Sequence, residues 1–525
     1  MKKFRLVIGL LTLAIFLTVR AHAEELCSTQ VVTSEGPVTG IKSKGFAACE
    51  YKGIPYATQA RWKAPAPAAK HNGVFAAVKF GPACMQNQSF GAGGKAPALS
   101  EDCLTLNIFR PAKSGIFPVM FWIHGGGYTQ GAGSYDIYEG SHLAATRDVV
   151  VVTINYRLGP FGFLSLAPAA DEDPNHSTGN YGLMDQVAAL RWVHDNIKNF
   201  GGDPERVTIF GESAGGVSVC NLLVAKPAVG LYSRAIMESG ACDLVRSQAK
   251  GFEQSSEVAK QLGCTDSNPL PCLRAKPAEA FLKIKPAISA SAHIDGYLLK
   301  AKPSELLKKG DFNHVPFLVG SNKNEFNIRL ATMPGAMCMT RTQVNKTIRA
   351  MMGERADDIL KLYSFDDYRH PWQLAAAAYT DGFGSRAFDA AESASAFTPV
   401  FLYRFDWQSE ALGKNLGSFH GLELPFVFGT LDAPGPLHLV LTKRAVKSGA
   451  QVSEAMMDYW TNFAKSGNPN GSGLANWPLY DAKTRERNYL KNPVGAAALT
   501  AREIARYQYF AGLSIEDLHR GKMKK

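Results

Sequence analysis

The segment from 207 to 224 constrains the fold of this chain more than any other. It opens with the apolar run Val-Thr-Ile-Phe and continues through Gly-Glu-Ser-Ala-Gly at 211–215 into a helix-like stretch from Ala214 to Val224. A short apolar run bounded by glycine is typical of a strand that is buried on both faces. We expect the two glycines to allow so tight a turn that Ser213 is presented, in a strained conformation, above a sheet.

Other strands are predicted on both sides of this unit. Two β-prone runs, 30–33 and 37–41, indicate antiparallel hairpins at a sheet edge. Between 183 and 200 apolar residues recur at helical spacing, and Gly-Gly-Asp-Pro at 201–204 indicates a helix stop and a turn. Because strands and helices alternate through the middle of the chain, the order favours a large, mostly parallel α/β sheet. Five further apolar runs have the character of buried strands: 119–123, 149–154, 235–237, 317–319 and 400–403.

The domain organisation follows from two long intervals, 242–315 and 327–398. Both are too long for simple crossovers and contain helix-like stretches, 303–309 and 372–379 respectively. We interpret them as helical insertions that cap the sheet. Since no internal repeat or low-complexity linker marks a second domain, the sequence predicts one domain over 24–525.

The first 23 residues have the pattern of a secretory signal peptide. Three basic residues among the first five precede an apolar run from 6 to 19, and Ala-His-Ala at 21–23 supplies small residues for cleavage. The apolar run has 14 residues, fewer than the roughly 20 of a membrane-spanning helix. We therefore expect cleavage near Ala23 and a secreted or periplasmic protein without stable membrane insertion.

Composition and charge narrow the range of partners. With 46% hydrophobic and 20% charged residues, the chain is neither disordered nor a multi-span membrane protein. The formal charge of +11 falls to +7 after the expected cleavage, which removes four basic residues and no acidic one. Nucleic-acid binding requires such charges to gather in a patch with aromatic partners, but the only cluster is the tail at 520–525. We predict no nucleic-acid partner.

The nine cysteines are an odd number, so an exported chain would contain disulfides and at least one unpaired thiol. No Cys-x-x-Cys spacing of a zinc site occurs. Cys84 and Cys103 are close enough in sequence to close a small loop, and so are Cys264 and Cys272. Spacing alone does not determine the pairing.

Ser213 becomes a candidate nucleophile because a second glycine-rich segment complements it. The run His-Gly-Gly-Gly-Tyr at 124–128 follows a predicted strand, and its glycines allow backbone amides to converge on one point. We predict an oxyanion hole formed by the amides of Gly126, Gly127 and Ala214, with each donor contributing about 3 kcal/mol to the transition state. The alternatives are a structural serine in a tight turn and a plain glycine turn.

Together these motifs resemble those of the type-B carboxylesterase and cholinesterase family. The glycine loop and the serine turn are similar to that family, and the similarity covers nearly the whole mature chain. It implies an α/β-hydrolase fold, a small-molecule ester substrate, and no metal or organic cofactor. Five further segments carry the resemblance: 53–57, 100–104, 155–157, 180–186 and 477–481.

The resemblance also implies a base and an orienting acid, which follow the serine in the order acid, then histidine. Glu325 lies just past the strand at 317–319, where the family has its triad glutamate, and Ser239 matches a residue that supports the acid. His420 precedes a segment similar to the family's histidine segment. The chain has 12 histidines, and a histidine at random is more often structural than catalytic. Asp295 is the rival acid, but it precedes the strand instead of following it.

Two disulfides, Cys84–Cys103 and Cys264–Cys272, are implied by the resemblance. The layout of the predicted elements suggests two more. Cys220–Cys242 would link the helix after Ser213 to the region beyond the next strand, and Cys27–Cys49 would tie the first hairpin. Cys338 would then remain unpaired.

Cholinesterases of the family have a tryptophan in the loop between the cysteines of the first disulfide, where its ring holds a quaternary ammonium. The loop from Cys84 to Cys103 has only Phe90 as an aromatic residue, and it carries Lys95, which would repel a cation. We therefore expect no preference for choline esters.

These observations predict a serine carboxylesterase that forms an acyl-enzyme on Ser213, activated by His420 and Glu325. The alternative from another class is a non-catalytic binding or adhesion protein on the same scaffold. Among enzymes, lipases and feruloyl or mycotoxin esterases share this machinery. The sequence separates neither these substrate classes nor the oligomeric states.

Overall fold

The computed structural model describes residues 25–87, 97–285, 290–409, 413–433, 436–511 and 513. The expected signal peptide, residues 1–23, and the residues Phe90 and Lys95 lie outside the described residues. Within the described part, eleven strands form the main sheet: β1 (Ile41–Lys42), β2 (Ala48–Pro55), β3 (Thr105–Pro111), β4 (Phe117–Ile123), β5 (Val150–Ile154), β6 (Gly202–Glu212), β7 (Arg234–Glu238), β8 (Phe317–Asn322), β9 (Val400–Phe405), β10 (Glu486–Leu490) and β11 (Gly495–Ala498).

The strand order from one edge of the sheet to the other is β11-β10-β9-β8-β7-β6-β4-β5-β3-β2-β1. The seven strands from β10 to β5 run parallel. The first three strands and β11 pair antiparallel with their neighbours. The predicted fold, a mostly parallel α/β-hydrolase sheet with antiparallel strands at its N-terminal side, is confirmed.

Helices cover both faces of this sheet. Nine helices of seven or more residues occur within the described residues: α1 (Ser141–Arg147), α2 (Tyr181–Asn196), α3 (Ala214–Val224), α4 (Gln248–Gln261), α5 (Pro303–Lys309), α6 (Arg341–Met352), α7 (Trp372–Ala394), α8 (Lys443–Ser466) and α9 (Ala501–Ala511). Shorter α-helices are Gly159–Phe163, Ala167–Asp171, Leu270–Ala275, Ala278–Leu282, Asn327–Ala331, Ala356–Lys361, Gly413–Leu416 and Leu424–Phe428. The 3-10 helices are Asp136–Tyr138, Ile197–Phe200, Lys226–Ala228, Ala336–Cys338, Gly353–Arg355, Phe365–Asp367 and Pro436–Leu439.

Strand β4 shows why the apolar runs are nearly continuous. Its alternate residues Phe121 and Ile123 belong to the core cluster that includes the apolar residues of α2 and α3. Met120 and Trp122 point to the other face, into the cluster that includes Met456, Trp460 and other residues of α8. Because both faces of the strand are covered, every one of its side chains is buried.

The first hairpin differs from the prediction in its position. Val31–Val32 and Pro37–Thr39 do pair antiparallel, but they belong to a separate three-stranded sheet with Phe75–Ala76. Strand β1 alone of this region reaches the edge of the main sheet. A side chain at Gly40 would overlap the backbone of Glu50, so the chain crosses close to β2 there before β1 begins.

The intervals 242–315 and 327–398 contain helices that pack on the sheet and on each other. The first contains α4, α5 and a two-stranded sheet, Val245–Ser247 with Ala292–Ile294. The second contains α6 and α7. Helix α5 packs on α3 and α7, and α7 also packs on β8. No helix in the described part of the chain combines the length and apolar character that a membrane crossing requires.

Four disulfides are present: Cys27–Cys49, Cys84–Cys103, Cys220–Cys242 and Cys264–Cys272. The thiol of Cys338 is exposed and unpaired within the described residues. Cys27–Cys49 links the N-terminal region to β2. Cys220–Cys242 links α3 to the segment that follows β7.

We expect that replacing both Cys84 and Cys103 by serine lowers the free energy of unfolding by about 3 kcal/mol. The disulfide closes a loop with a sequence separation of 19, which restricts the unfolded chain. Urea unfolding, followed by tryptophan fluorescence, measures the change. Cys338→Ser is the matched control, since it removes a thiol without opening a loop. An unchanged unfolding midpoint in the double variant would contradict the prediction.

Candidate active site

Ser213 lies at the junction of β6 and α3, with φ 57° and ψ −121°. Few residues other than glycine adopt this conformation, and it stores strain. Two hydrogen bonds fix it: the Ser213 amide donates to the Glu238 carbonyl at 2.9 Å, and the Val217 amide donates to the Ser213 carbonyl at 2.9 Å. A side chain at Gly215 would overlap the carbonyl oxygen of Ile123. Glycine at this position therefore lets α3 begin directly against the end of β4.

The glycine loop after β4 lies beside this turn. Gly126 and Gly127 have φ of 104° and 62°, in the region that favours glycine. A Cβ on Gly125 would lie 3.1 Å from the Cβ of Ser213, so loop and turn are in close contact. Among the described residues, no hydrogen bond acceptor engages the amides of Gly126, Gly127 or Ala214. The two predicted donors Gly127 and Ala214 line the same cavity as Ser213.

The predicted acid and base are in direct contact. His420 Nδ1 lies 2.6 Å from Glu325 Oε2, and the His420 amide donates to the Glu325 carbonyl at 3.2 Å. The other carboxylate oxygen, Oε1, accepts hydrogen bonds of 2.6 Å from the Ser239 hydroxyl and the Asn322 amide. The buried Glu325 carboxylate is thus held on both oxygens. This arrangement assigns a proton to Nδ1 and leaves Nε2 as the nitrogen that can act as a base.

Glu212 is a site residue to which the sequence analysis gave no role. Its Oε1 lies 3.1 Å from His420 Nε2, and no hydrogen bond joins His420 to Ser213 in the described structure. The Nε2–Oε1 contact requires a proton on one partner. Burial raises the pKa of Glu212. Burial lowers the pKa of His420, but the charges of Glu212 and Glu325 outweigh this effect, so the pKa of His420 is raised.

Two more carboxyl groups, Glu238 and Glu423, are buried beneath the site. Glu238 Oε1 accepts a hydrogen bond of 3.0 Å from the indole of Trp460, and burial raises the pKa of Glu238 to about 8. Glu423 accepts a hydrogen bond from the side-chain amide of Asn322. Burial, together with the charges of Glu212 and Glu325, raises the pKa of Glu423. A proton on each of these groups removes a negative charge that would repel the other carboxylates.

The rival residues have other partners. Asp295 accepts hydrogen bonds from the Ser177 hydroxyl and from two amides of its own loop, and it makes no contact with His420 among the described residues. His124 is buried, with Nδ1 2.8 Å from the Gly125 carbonyl and its ring stacked on Tyr156. Burial lowers the pKa of His124 to about 4, so this ring is neutral and supports the glycine loop.

A cavity of about 840 Å³ opens above Ser213. Tyr128 and Val217 line it near the serine, and Phe383 of α7 contributes an aromatic wall. The Phe383 ring meets the imidazole of His420 edge-on, with ring centroids 5.7 Å apart. In the part of the chain that the structure describes, no group of three His, Cys, Asp or Glu side chains is arranged to hold a metal ion.

The chain is similar to known proteins over most of its length. A model of the carboxylesterase family matches residues 27–505. The para-nitrobenzyl esterase of Bacillus subtilis (strain 168) is 36% identical over 488 residues, which cover 89% of this chain and 95% of that protein. The cocaine esterase of Homo sapiens is 36% identical over 541 residues, covering 94% of this chain and 93% of that protein.

Solved structures agree with the sequence relatives. A Geobacillus stearothermophilus carboxylesterase superposes with a TM-score of 0.80 at 34% identity, covering 91% of this chain and all of that one. A PNB esterase superposes with a TM-score of 0.79 at 34% identity, covering 91% and 99%. Because these relatives are esterases, a non-catalytic binding protein on the same scaffold is not favoured. The chain belongs to the carboxylesterase family and is a serine carboxylesterase.

Proposed function

We propose that Ser213, His420 and Glu325 are the catalytic triad through which this carboxylesterase forms and hydrolyses an acyl-enzyme. The observation that carries the proposal is the 2.6 Å contact between His420 Nδ1 and Glu325 Oε2, which leaves Nε2 as the basic nitrogen. The strained turn at Ser213 supports it, because such turns expose a nucleophile at the carboxyl edge of a sheet.

In the first step, neutral His420 takes the proton of Ser213 Oγ while this oxygen attacks the carbonyl carbon of the ester. Nε2 lies beside Glu212 in the free enzyme, and we propose that it turns to Ser213 Oγ when substrate binds. Glu325 orients the ring through Nδ1 and stabilises the imidazolium that forms. The charge that develops on the carbonyl oxygen is met by the three amides of the proposed oxyanion hole: Gly126, Gly127 and Ala214.

The remaining steps use the same groups. The tetrahedral intermediate collapses, the bond to the alkoxy oxygen breaks, and His420 Nε2 gives its proton to the departing alcohol. Water then attacks the acyl-enzyme with His420 as the base, and the carboxylic acid leaves Ser213. Each amide donor of the oxyanion hole contributes about 3 kcal/mol to transition-state stabilisation.

We also propose that residues 24–525 form one exported catalytic domain after removal of residues 1–23. The four disulfides support export, because such bonds persist in oxidising compartments. In this proposal the insertions 242–315 and 327–398 belong to the catalytic domain. Their helices α5 and α7 pack on each other and provide lining residues of the cavity, which supports this assignment.

We expect Ser213→Ala to lower kcat/KM for a p-nitrophenyl ester by at least about three orders of magnitude. The folded state should survive, because Ser213 is only partly buried and the substitution removes a single oxygen atom. Circular dichroism checks the fold, and an organophosphate should label the wild type once per chain, on Ser213. A label recovered on another residue, or substantial activity in the variant, would reject the assignment.

The orienting acid is tested by a matched pair of variants, Glu325→Gln and Asp295→Asn. Each removes one carboxylate charge from a loop. We expect Glu325→Gln to lower kcat by about 10³-fold, since the imidazole then loses its anionic partner. Asp295→Asn should leave kcat within about threefold of the wild type. Initial rates at equal concentrations of folded protein measure kcat for both variants. A larger loss of kcat in Asp295→Asn than in Glu325→Gln would show that Glu325 is the wrong acid.

The third expectation concerns pH. His420 acts as a base only when neutral, so kcat/KM falls as pH decreases and the imidazole takes up a proton. The charge of Glu212 stabilises that imidazolium and raises its pKa. Glu212→Gln removes this charge, so the acid limb should move to lower pH.

Profiles of kcat/KM between about pH 4 and 9 measure this shift. Glu205→Gln is the control, because Glu205 lies on the same strand β6 but is exposed to solvent. A shift of the Glu212→Gln limb to higher pH, or a profile identical to that of the control, would contradict the proposed contact.

A further inference from the structure

The C-terminal part of the chain contributes to the cavity above Ser213. Ala511, the last residue of α9, and Leu513 line this cavity together with the serine. Both residues are half-buried, as expected where a side chain borders a space that is open to solvent. The segment 511–513 therefore forms part of the surface that a bound ester would meet.

Packing in the core holds this segment on one side. Helix α9 packs on α7. The Phe510 ring, in the last turn of α9, is fully buried in a cluster with Trp372, Leu374 and other residues of α7. Leu513 packs against the same cluster, and its amide donates a hydrogen bond of 3.0 Å to the Phe510 carbonyl. Because a close-packed core resists displacement of its members, Leu513 has a defined position beside the cavity.

A buried guanidinium group holds Leu513 on the other side. Arg386 of α7 donates a hydrogen bond of 2.6 Å from Nη2 to the Leu513 carbonyl, and its Nη1 lies 3.1 Å from the Asp243 carboxylate. A buried charge needs partners of this kind, so both contacts are costly to break. Asp243 directly follows Cys242, whose disulfide with Cys220 reaches α3. The C-terminal segment is thus connected, through Arg386, to the helix that begins after the serine.

The spacing of residues along α7 indicates how deep in the cavity Leu513 lies. Phe383, Arg386 and Asp389 all line the cavity and recur every three residues, so they follow one side of the helix. Phe383 is the member beside the proposed base, since its ring contacts that of His420. Arg386 lies about 4.5 Å further along the helix axis, at a rise of about 1.5 Å per residue. Leu513, which Arg386 holds, therefore borders the cavity about one helical turn beyond Phe383.

We propose that Leu513 limits the length of the ester chain that the cavity accepts, and that Arg386 is the positioning residue that holds Leu513 in place. The proposal rests on the acyl-enzyme at Ser213 proposed above. An acetyl or ethyl group bound at the serine is too short to reach Leu513, whereas an octyl chain extends to it. A bulkier side chain at position 513 therefore hinders long esters selectively, and a smaller one admits them.

Two pairs of esters test this limit. p-Nitrophenyl octanoate and p-nitrophenyl acetate differ in the acyl part, and octyl acetate and ethyl acetate differ in the alcohol part. We expect Leu513→Trp to lower the ratio of kcat/KM for the long ester to that for the short one by at least about fivefold, and Leu513→Ala to raise it by at least about twofold. Opposite shifts by the two variants in either pair support the proposal. Ratios that stay unchanged, or that move in the same direction, in both pairs overturn it.

Leu479→Trp and Leu479→Ala are the matched controls, since Leu479 is exposed and is not among the described residues that line the cavity. Both should keep the wild-type ratio. Each ratio compares two esters on one protein preparation, so a smaller folded fraction lowers both rates equally and leaves the ratio unchanged. Circular dichroism checks that every variant is folded.

The positioning role of Arg386 is tested by Arg386→Lys. Lysine keeps a positive charge beside Asp243, but it has one cationic nitrogen to share between that carboxylate and the Leu513 carbonyl. We expect the ratio of long to short ester to rise, as in Leu513→Ala. Because Arg386 acts through Leu513, combining the two substitutions should give the ratio of Leu513→Ala alone. An unchanged or lower ratio in Arg386→Lys, or effects that add in the double variant, would overturn this role.

The same assays separate this inference from the proposed function. If Ser213→Ala still hydrolyses the short and the long esters, the proposed function fails. If hydrolysis depends on Ser213 but the ratio does not respond to substitution of Leu513, the proposed function stands and only the inferred limit on chain length is wrong.

Discussion

The strained backbone of Ser213 is the constraint on which the rest of the site depends. A residue other than glycine held at φ 57° and ψ −121° costs about 1–3 kcal/mol, which the surrounding structure must offset. Strands β4 and β7, both buried, flank β6 and fix the turn from either side. Glycine at 215 permits contact with β4, and the Glu238 carbonyl at the end of β7 accepts the Ser213 amide. Packing of the central sheet thus supplies the energy that holds Ser213, the proposed nucleophile, in this conformation.

The charges of the carboxyl groups around His420 are a second constraint on the site. Four carboxyl groups are clustered beside and beneath the imidazole of His420: Glu212, Glu238, Glu325 and Glu423. If all four were charged, their repulsion in a buried place would be severe. Burial raises the pKa values of three of them, Glu212, Glu238 and Glu423, and so favours their neutral forms. Negative charge is then carried by Glu325, which has two hydrogen-bond donors on one oxygen and His420 on the other, and by Glu212 when the His420 imidazole beside it is protonated.

The sequence predicted those features that are encoded locally. Continuous apolar runs indicated the central strands, and the helix predicted from Ala214 to Val224 has these bounds in the structure. The predicted turn at 201–204 is shorter, because β6 already begins at Gly202 and pairs with Phe117 of β4. The hairpin at 30–41 was assigned to the wrong sheet, since pairing between distant segments decides that question. Glu212 is part of the Gly-Glu-Ser-Ala-Gly motif at 211–215. Its contact with His420 could not be predicted, because it depends on the position that the loop around residue 420 takes in the folded chain.

The set of residues that line the cavity was beyond sequence reasoning for the same reason, since they are spread over more than a hundred positions of the chain. Part of this lining is nevertheless attached to α3, through the disulfide Cys220–Cys242 and the hydrogen bond from the Ser304 amide to the Cys242 carbonyl. The proposed catalytic groups lie at the ends of sheet strands and in the loops beside them, whereas much of the cavity lining comes from inserted helices and loops. Substitutions in this lining can therefore change the shape and charge of the cavity without disturbing the packing that strains Ser213. The proposed triad and the cavity lining are thus both attached to α3, but they are built from different parts of the chain.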